Sequence, residues 1–177
     1  KSVGDLFDLV GRKQYEVLVY DRYSKLLYSK EQYGGAIDLY RHFISRHANS
    51  LWSPIYQVRI IDTLIQAGFR SELYAEKSRF VQDYGLGSAY WDFYAKGDNG
   101  VSSSALDYPK SQLELLIPEL ADLHYVKAQQ ALKNGRRNQS NIEFKNASHF
   151  NRAFVETFPA HDKTANRFFL LAEGDLQ

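Results

Sequence analysis

Ala36-Ile-Asp-Leu-Tyr40-Arg-His-Phe43-Ile-Ser-Arg-His47 decides the fold, because the chain repeats its pattern twice more. Leu73-Tyr-Ala-Glu-Lys77-Ser-Arg-Phe80-Val-Gln-Asp-Tyr84 and Ala147-Ser-His-Phe-Asn151-Arg-Ala-Phe154-Val-Glu-Thr-Phe158 close in the same way. Each ends in Phe, an aliphatic residue, two polar residues and a ring. Phe43 and Phe80 are 37 apart, and Phe80 and Phe154 are 74 apart, twice that interval. Self-similarity at such a period marks an array of stacked supersecondary units.

The segment before each copy also has helical periodicity. Tyr15 to Ser29 places Val19, Tyr20, Tyr23, Leu26 and Leu27 at helical spacing. Pro54 to Gln66 does the same with Ile55, Val58, Ile61, Leu64 and Ile65. Ser53-Pro54 reads as the start of that helix, with Ser as cap and Pro in the first turn. Gly68 reads as its left-handed stop. Leu113 to Lys133 reads as a long helix, with Pro118 marking a kink or a late start, and Asn134-Gly135 closes it. Thr164 to Asp175 reads as one more first helix. No stretch alternates apolar and polar residues with β-branched enrichment, so strands are not expected.

Gly85 to Gln112 breaks the pattern. Tyr90-Trp91-Asp92-Phe93-Tyr94 predicts a short aromatic helix, and Gly97, Gly100 and Ser102-Ser-Ser104 predict a mobile loop. The expected division is therefore 1–84 as two helix pairs with a lead-in and 85–112 as an insertion. A third pair follows over 113–160, and a further first helix over 161–177. Residues 136–141 are expected to be a loop insertion within the third pair.

Tyr20, Tyr23, Leu27, Tyr33, Ala36 and Tyr40 resemble the large–large–large–aromatic–small–aromatic pattern of the tetratricopeptide repeat. Leu64, Gly68 and Phe80 follow it in the second unit, although Leu73 stands where a small residue is usual. Ala128, Ala131, Phe144, Ala147 and the closing Pro159 follow it in the third. The period of 37 is close to the roughly 34 residues of that repeat. The chain as a whole resembles the large tetratricopeptide proteins of Gram-negative bacteria, in phrases such as Ala-Glu-Lys-Ser-Arg-Phe-Val-Gln-Asp-Tyr-Gly and Phe-Phe-Leu-Leu-Ala-Glu.

That resemblance implies an all-α superhelix, an α-solenoid of antiparallel helix pairs whose concave side, lined by first helices, binds other proteins or peptides. It implies a non-catalytic scaffold in the bacterial cell envelope, periplasmic or tied to the outer membrane, with the cytoplasm as the alternative compartment. The alternative functions are the non-catalytic arm of a larger enzyme, such as a superhelical lytic transglycosylase, or a module that self-associates into a homo-oligomer. By the family's spacing, the groove positions are Asp21, Lys25 and Tyr28, then Val58, Asp62 and Gln66, then Tyr125 and Gln129. Tyr28 and Tyr125 are the expected anchors, because interface energy concentrates in a few aromatic residues. The lysine and arginine clamp of some chaperone-binding relatives is absent.

Composition narrows the remaining classes. The 177 residues are 44% hydrophobic and 24% charged, with a net charge of +1, so no basic surface for nucleic acid is forced. There is no cysteine, which removes disulfides, thiolate metal sites and cysteine nucleophiles. There is no methionine either, which points to a chain that is a piece of a longer protein. No apolar run approaches a membrane span. His42, His47, His124, His149 and His161 show no zinc-protease spacing and are expected at the surface. Glu114, Glu119 and Asp122 are expected on a solvated helix face, and Lys133, Arg136 and Arg137 in a solvated loop. Gly85-Leu-Gly87 lacks the third glycine of a nucleotide loop. No cofactor, metal or catalytic residue is expected.

Overall fold

The computed structural model describes residues 15–95 and 101–175. The described residues are helical, and no strand occurs among them. The helices are α1 (Glu16–Ser29), α2 (Tyr33–Arg46), α3 (Trp52–Ala67), α4 (Arg70–Tyr84), α5 (Ala89–Ala95), α6 (Asp107–Lys133), α7 (Arg137–Thr157) and α8 (Thr164–Asp175). A short 3-10 turn, Ser103–Leu106, precedes α6. The chain divides into two compact units, Lys1–Pro109 and Lys110–Gln177.

In the first unit, α1 and α2 run antiparallel. Glu16 near the start of α1 meets His47 beyond the end of α2 (2.5 Å), and Tyr20 meets His42 (2.6 Å). At the other end of the pair, Tyr28 packs edge-on against Tyr33. α3 lies antiparallel to α2, with Tyr56 against Phe43 and Arg59 over the Tyr40 ring. It is also parallel to α1: the Tyr56 hydroxyl donates to the Val17 carbonyl oxygen (3.0 Å), and Arg59 donates to Asp21. The second helices α2 and α4 are joined through Arg41, which donates to Glu76 (2.7 Å) and Glu72 (3.3 Å). First helix therefore stacks on first helix, and second on second.

The repeated phenylalanines explain why this arrangement forms. Phe43, Phe80 and Phe154 are 1%, 0% and 0% exposed. Each touches the ring that closes its own motif: His47 at 4.7 Å, Tyr84 at 5.0 Å and Phe158 at 5.2 Å between centroids. Ala36 and Ala147 are buried with them. Tyr20, Tyr40, Tyr56, Ile60 and Leu64 complete the core of the first unit.

The three first helices α1, α3 and α6 end in the same way. The carbonyl oxygens of Leu27, Leu64 and Ala131 each accept a bond of 2.9 Å from the N–H five residues on, at Gln32, Phe69 and Arg136. The residue before each donor takes a left-handed conformation: Glu31 (φ 58°), Gly68 (φ 74°) and Gly135 (φ 71°). Glycine is the residue that tolerates this geometry without cost. Glu31 and Gly68 are one 37-residue period apart.

In the second unit, α6 and α7 pair antiparallel through Ser140 Oγ to the Ala128 carbonyl oxygen (3.0 Å) and Tyr125 against Phe144. α8 packs on α7 and lies parallel to α6. Arg167 donates to Asp122 (3.0 Å for the Nη2–Oδ2 bond), and His161 meets Glu114 (2.9 Å).

Several sequence expectations need correction. α6 begins at Asp107 rather than Leu113, because Pro109 falls in the first turn, where a missing N–H costs nothing. Pro118 is buried inside the helix, not at its start. α3 begins at Trp52, and Ser53 caps no helix: its hydroxyl donates back to the His47 carbonyl oxygen (2.6 Å). Residues 137–141 belong to α7 and are not a loop. The aromatic helix predicted after Gly85 is present as α5. The Trp91 indole N–H fastens it to the Tyr84 carbonyl oxygen (2.7 Å). Gly97 and Gly100 of the expected loop, and the lead-in before Tyr15, lie outside the described residues.

Candidate functional site

Six of the eight expected groove residues are on α1 and α3, and the parallel stacking of these helices brings one of them, Asp21, against a side chain that the spacing argument missed. This is Arg59. It donates to Asp21 and lies over the rings of Tyr56 (5.3 Å) and Tyr40 (5.9 Å). Lys25, one turn beyond Asp21, adds a second cation at 2.9 Å. Asp62 sits one turn beyond Arg59 on α3, and both act electrostatically on Tyr108.

The charges are set by these neighbours. Burial pushes the Asp21 carboxyl upward, but hydrogen bonds from Lys25 and Arg59 outweigh it and hold the group below the usual carboxylate range. Burial would lower the Arg59 guanidinium, yet its bond to Asp21 keeps it above its ordinary value. Asp62 has no such partner to offset burial and is raised. Tyr108 is raised by burial first, with Asp62 adding to the shift and Arg59 opposing it. The face thus carries a fixed zwitterionic cluster with aromatic support.

Tyr28 is 40% exposed, and Gln66 is exposed with it. Val58 is half-buried on α3. In the second unit, Tyr125 and Gln129 are half-buried on α6, and the Tyr125 ring packs edge-on to Phe144 at 5.7 Å. Asp21 is committed to the α1–α3 contact as much as to any partner. Opposite charges spaced about one repeat apart, Asp21 and Arg59, were the signal that could have disclosed this cluster.

The histidines expected at the surface are partly interior, whereas Glu114, Glu119 and Asp122 keep the solvated face expected of them. His124 is buried against Glu143 (2.5 Å), and His47 meets the buried carboxylate of Glu16. His42 is half-buried on the Tyr20 hydroxyl, and among the five only His149 is exposed. Glu114 and Asp122 pair with His161 and Arg167. An imidazole facing a carboxylate can be buried because each satisfies the other's polar atoms. No group of His, Asp and Glu among the described residues is arranged to hold a metal ion.

No protein-family model matches the chain, and no curated protein or solved structure matches it.

Proposed function

We propose that this chain is a tetratricopeptide-type scaffold that binds another protein through the face of its first helices, and that it does so in the bacterial cell envelope. The observation that carries the reading is the parallel stacking of α1 on α3, fixed by Arg59 and Asp21. This stacking turns two separate helices into one continuous surface. Repeat arrays use such surfaces to hold extended peptides or helices. The exposed ring of Tyr28, the Lys25 cation and the Asp62 carboxylate supply the mix of aromatic and polar contacts typical of protein interfaces. The envelope location rests on the sequence resemblance; no helix among the described residues is long and apolar enough to cross a membrane.

The test is photo-crosslinking in cells, with a benzophenone amino acid at Tyr28 and, as the control, at Asp38 on the exposed side of α2. The proposal expects one discrete heterologous adduct from position 28 and none from position 38. A ladder of adducts to the chain itself would point to self-association. Absence of any adduct specific to position 28 contradicts the proposal.

A further inference from the structure

Helix α8 has two unlike sides. One is buried on the rest of the second unit: Arg167 and Leu171 are 8% and 9% exposed, and Arg167 donates to Asp122 of α6 and to Asn151 of α7 (3.5 Å). The other side carries Ala165, Phe168, Phe169 and Ala172, and all four are exposed. Their i, i+3, i+4, i+7 spacing makes one continuous helix face. In the first unit the same register is covered. Arg59 and Arg167 each hold an aspartate of the first helix before them. The two residues after Arg59, Ile60 and Ile61, are 0% and 4% exposed, whereas the two after Arg167, Phe168 and Phe169, are 59% and 65% exposed. Leu73 of α4 packs against the core that holds Ile60, and α4 is held on α3 by the Gln57 amide donating to Glu76 (2.6 Å). Among the described residues no helix covers Phe168 and Phe169 in this way.

Contiguous exposed apolar surface marks an interaction site, and this face has no charged residue that would have to be desolvated. The order of its residues points to the occupant. Ala165, Phe168, Phe169 and Ala172 read small, large, large, small, symmetric about the midpoint between the two rings. A two-fold contact demands that symmetry, because residue i must meet residue j while j meets i. A different partner would demand none. We infer that this face is a contact between two copies of the chain. The two α8 helices run antiparallel across a two-fold axis. Phe168 of each copy packs on Phe169 of the other, and Ala165 lies opposite Ala172. The second copy's helix thus covers α8 as α4 covers α3. Two rings and two methyl groups from each copy bury less than a standard interface, so the dimer is weak and exchanges freely. The contact uses no residue of α1 or α3, so it stands or falls independently of the scaffold reading.

The experiment is sedimentation equilibrium of the full chain, joined to cysteine cross-linking. The chain should pass from monomer to dimer between micromolar and millimolar concentration. Phe168→Glu and Phe169→Glu should each raise the dissociation constant by about ten-fold or more, because a carboxylate is then buried in the contact. Both rings are exposed, so the helical circular dichroism should not change. The chain has no cysteine, so single cysteines report position without background. An equal mixture of the Ala165→Cys and Ala172→Cys chains should oxidise to the mixed 165–172 disulfide well before either chain links to itself. In the antiparallel pair, like positions lie about 10 Å apart along the axis, at about 1.5 Å per residue. A chain that stays monomeric over the whole range overturns the inference and leaves the face to a different polypeptide. Dimerisation undiminished in both glutamate variants overturns it by placing the contact on another face. Linking of 165 to 165 as fast as 165 to 172 overturns it by contradicting the two-fold arrangement, and this result decides the matter even if the glutamate variants fail to fold.

Discussion

The guanidinium of Arg59 on α3 donates to the carboxylate of Asp21 on α1, 38 residues earlier. Arg167 on α8 stands in the same relation to Asp122 on α6, 45 residues earlier. In both units an arginine of one first helix holds an aspartate of the first helix before it. Both pairs join parallel helices that are separated in sequence by a whole second helix. In each unit a hydrogen-bonded ion pair thus marks the contact between parallel helices two elements apart.

Glu31 occupies the left-handed position that glycine fills at residues 68 and 135. A side chain there is strained by roughly 1 kcal/mol or more. Glu31→Gly should therefore raise the stability of the first unit by about 0.5–1 kcal/mol, net of glycine's greater freedom in the unfolded chain. Urea unfolding followed by circular dichroism measures it, and a loss of stability would show that Glu31 makes a contact worth more than the strain.

Glu76 is buried and holds three elements together. It accepts from Arg41 on α2, from Gln57 Nε2 on α3 (2.6 Å) and from Arg79 on its own helix (3.0 Å). Removing the carboxylate leaves the buried Gln57 amide unpaired and takes one partner from two part-exposed guanidiniums, which costs more than a surface pair is worth. Glu76→Ala should destabilise the chain by about 2 kcal/mol. The exposed pair partner Asp38, truncated to Ala, should cost under about 0.5 kcal/mol.

Burial raises the hydroxyl pKa of Tyr40, Tyr56, Tyr84, Tyr90, Tyr94 and Tyr108. The folded values lie above the unfolded value of about 10. The stability gained from these neutral phenols is then fully present below about pH 10 and is lost as pH rises through the folded values. Thermal midpoints should fall steeply above about pH 10. Tyrosinate absorbance should show these buried phenols ionising only as the helices melt. One uniform titration of all the tyrosines in the folded protein would contradict the burial described here.

Tyr28 and Tyr125 were both expected as anchors, yet they stand differently. Tyr28 is exposed and touches Tyr33, whereas Tyr125 is half-buried on Phe144. Tyr28→Ala should cost under about 1 kcal/mol of stability and Tyr125→Ala about 2 kcal/mol, with helical circular dichroism retained in both. Unfolding of the Tyr28 variant would make that ring part of the core.

The all-helical class was legible because phenylalanine at a fixed helical interval marks a face that packs in a core. Phe43, Phe80 and Phe154 carried that signal, and all three are fully buried. Helix ends were legible where glycine marked them, at Gly68 and Gly135, and missed where Glu31 took the same conformation, since composition alone does not mark a strained glutamate. The start of α6 was missed because Pro118 drew attention from Pro109, whose place in a first turn shows only once the helix is seen whole. The histidines were misplaced for another reason. A polar side chain is buried when its partner is buried with it, and the partners of His47 and His124 lie 31 and 19 residues away, on other helices. The same separation hid Arg59 from the groove positions, which were drawn one helix at a time.

The stacking of first helix on first helix is tested most directly by a double-mutant cycle on Asp21→Asn and Arg59→Gln, read by urea unfolding. If the two side chains clamp α1 to α3, each single variant loses stability and the double variant loses less than their sum, with a coupling of about 1 kcal/mol. Additivity of the two changes to within about 0.3 kcal/mol would mean that the pair does not hold the helices together, and would contradict the account.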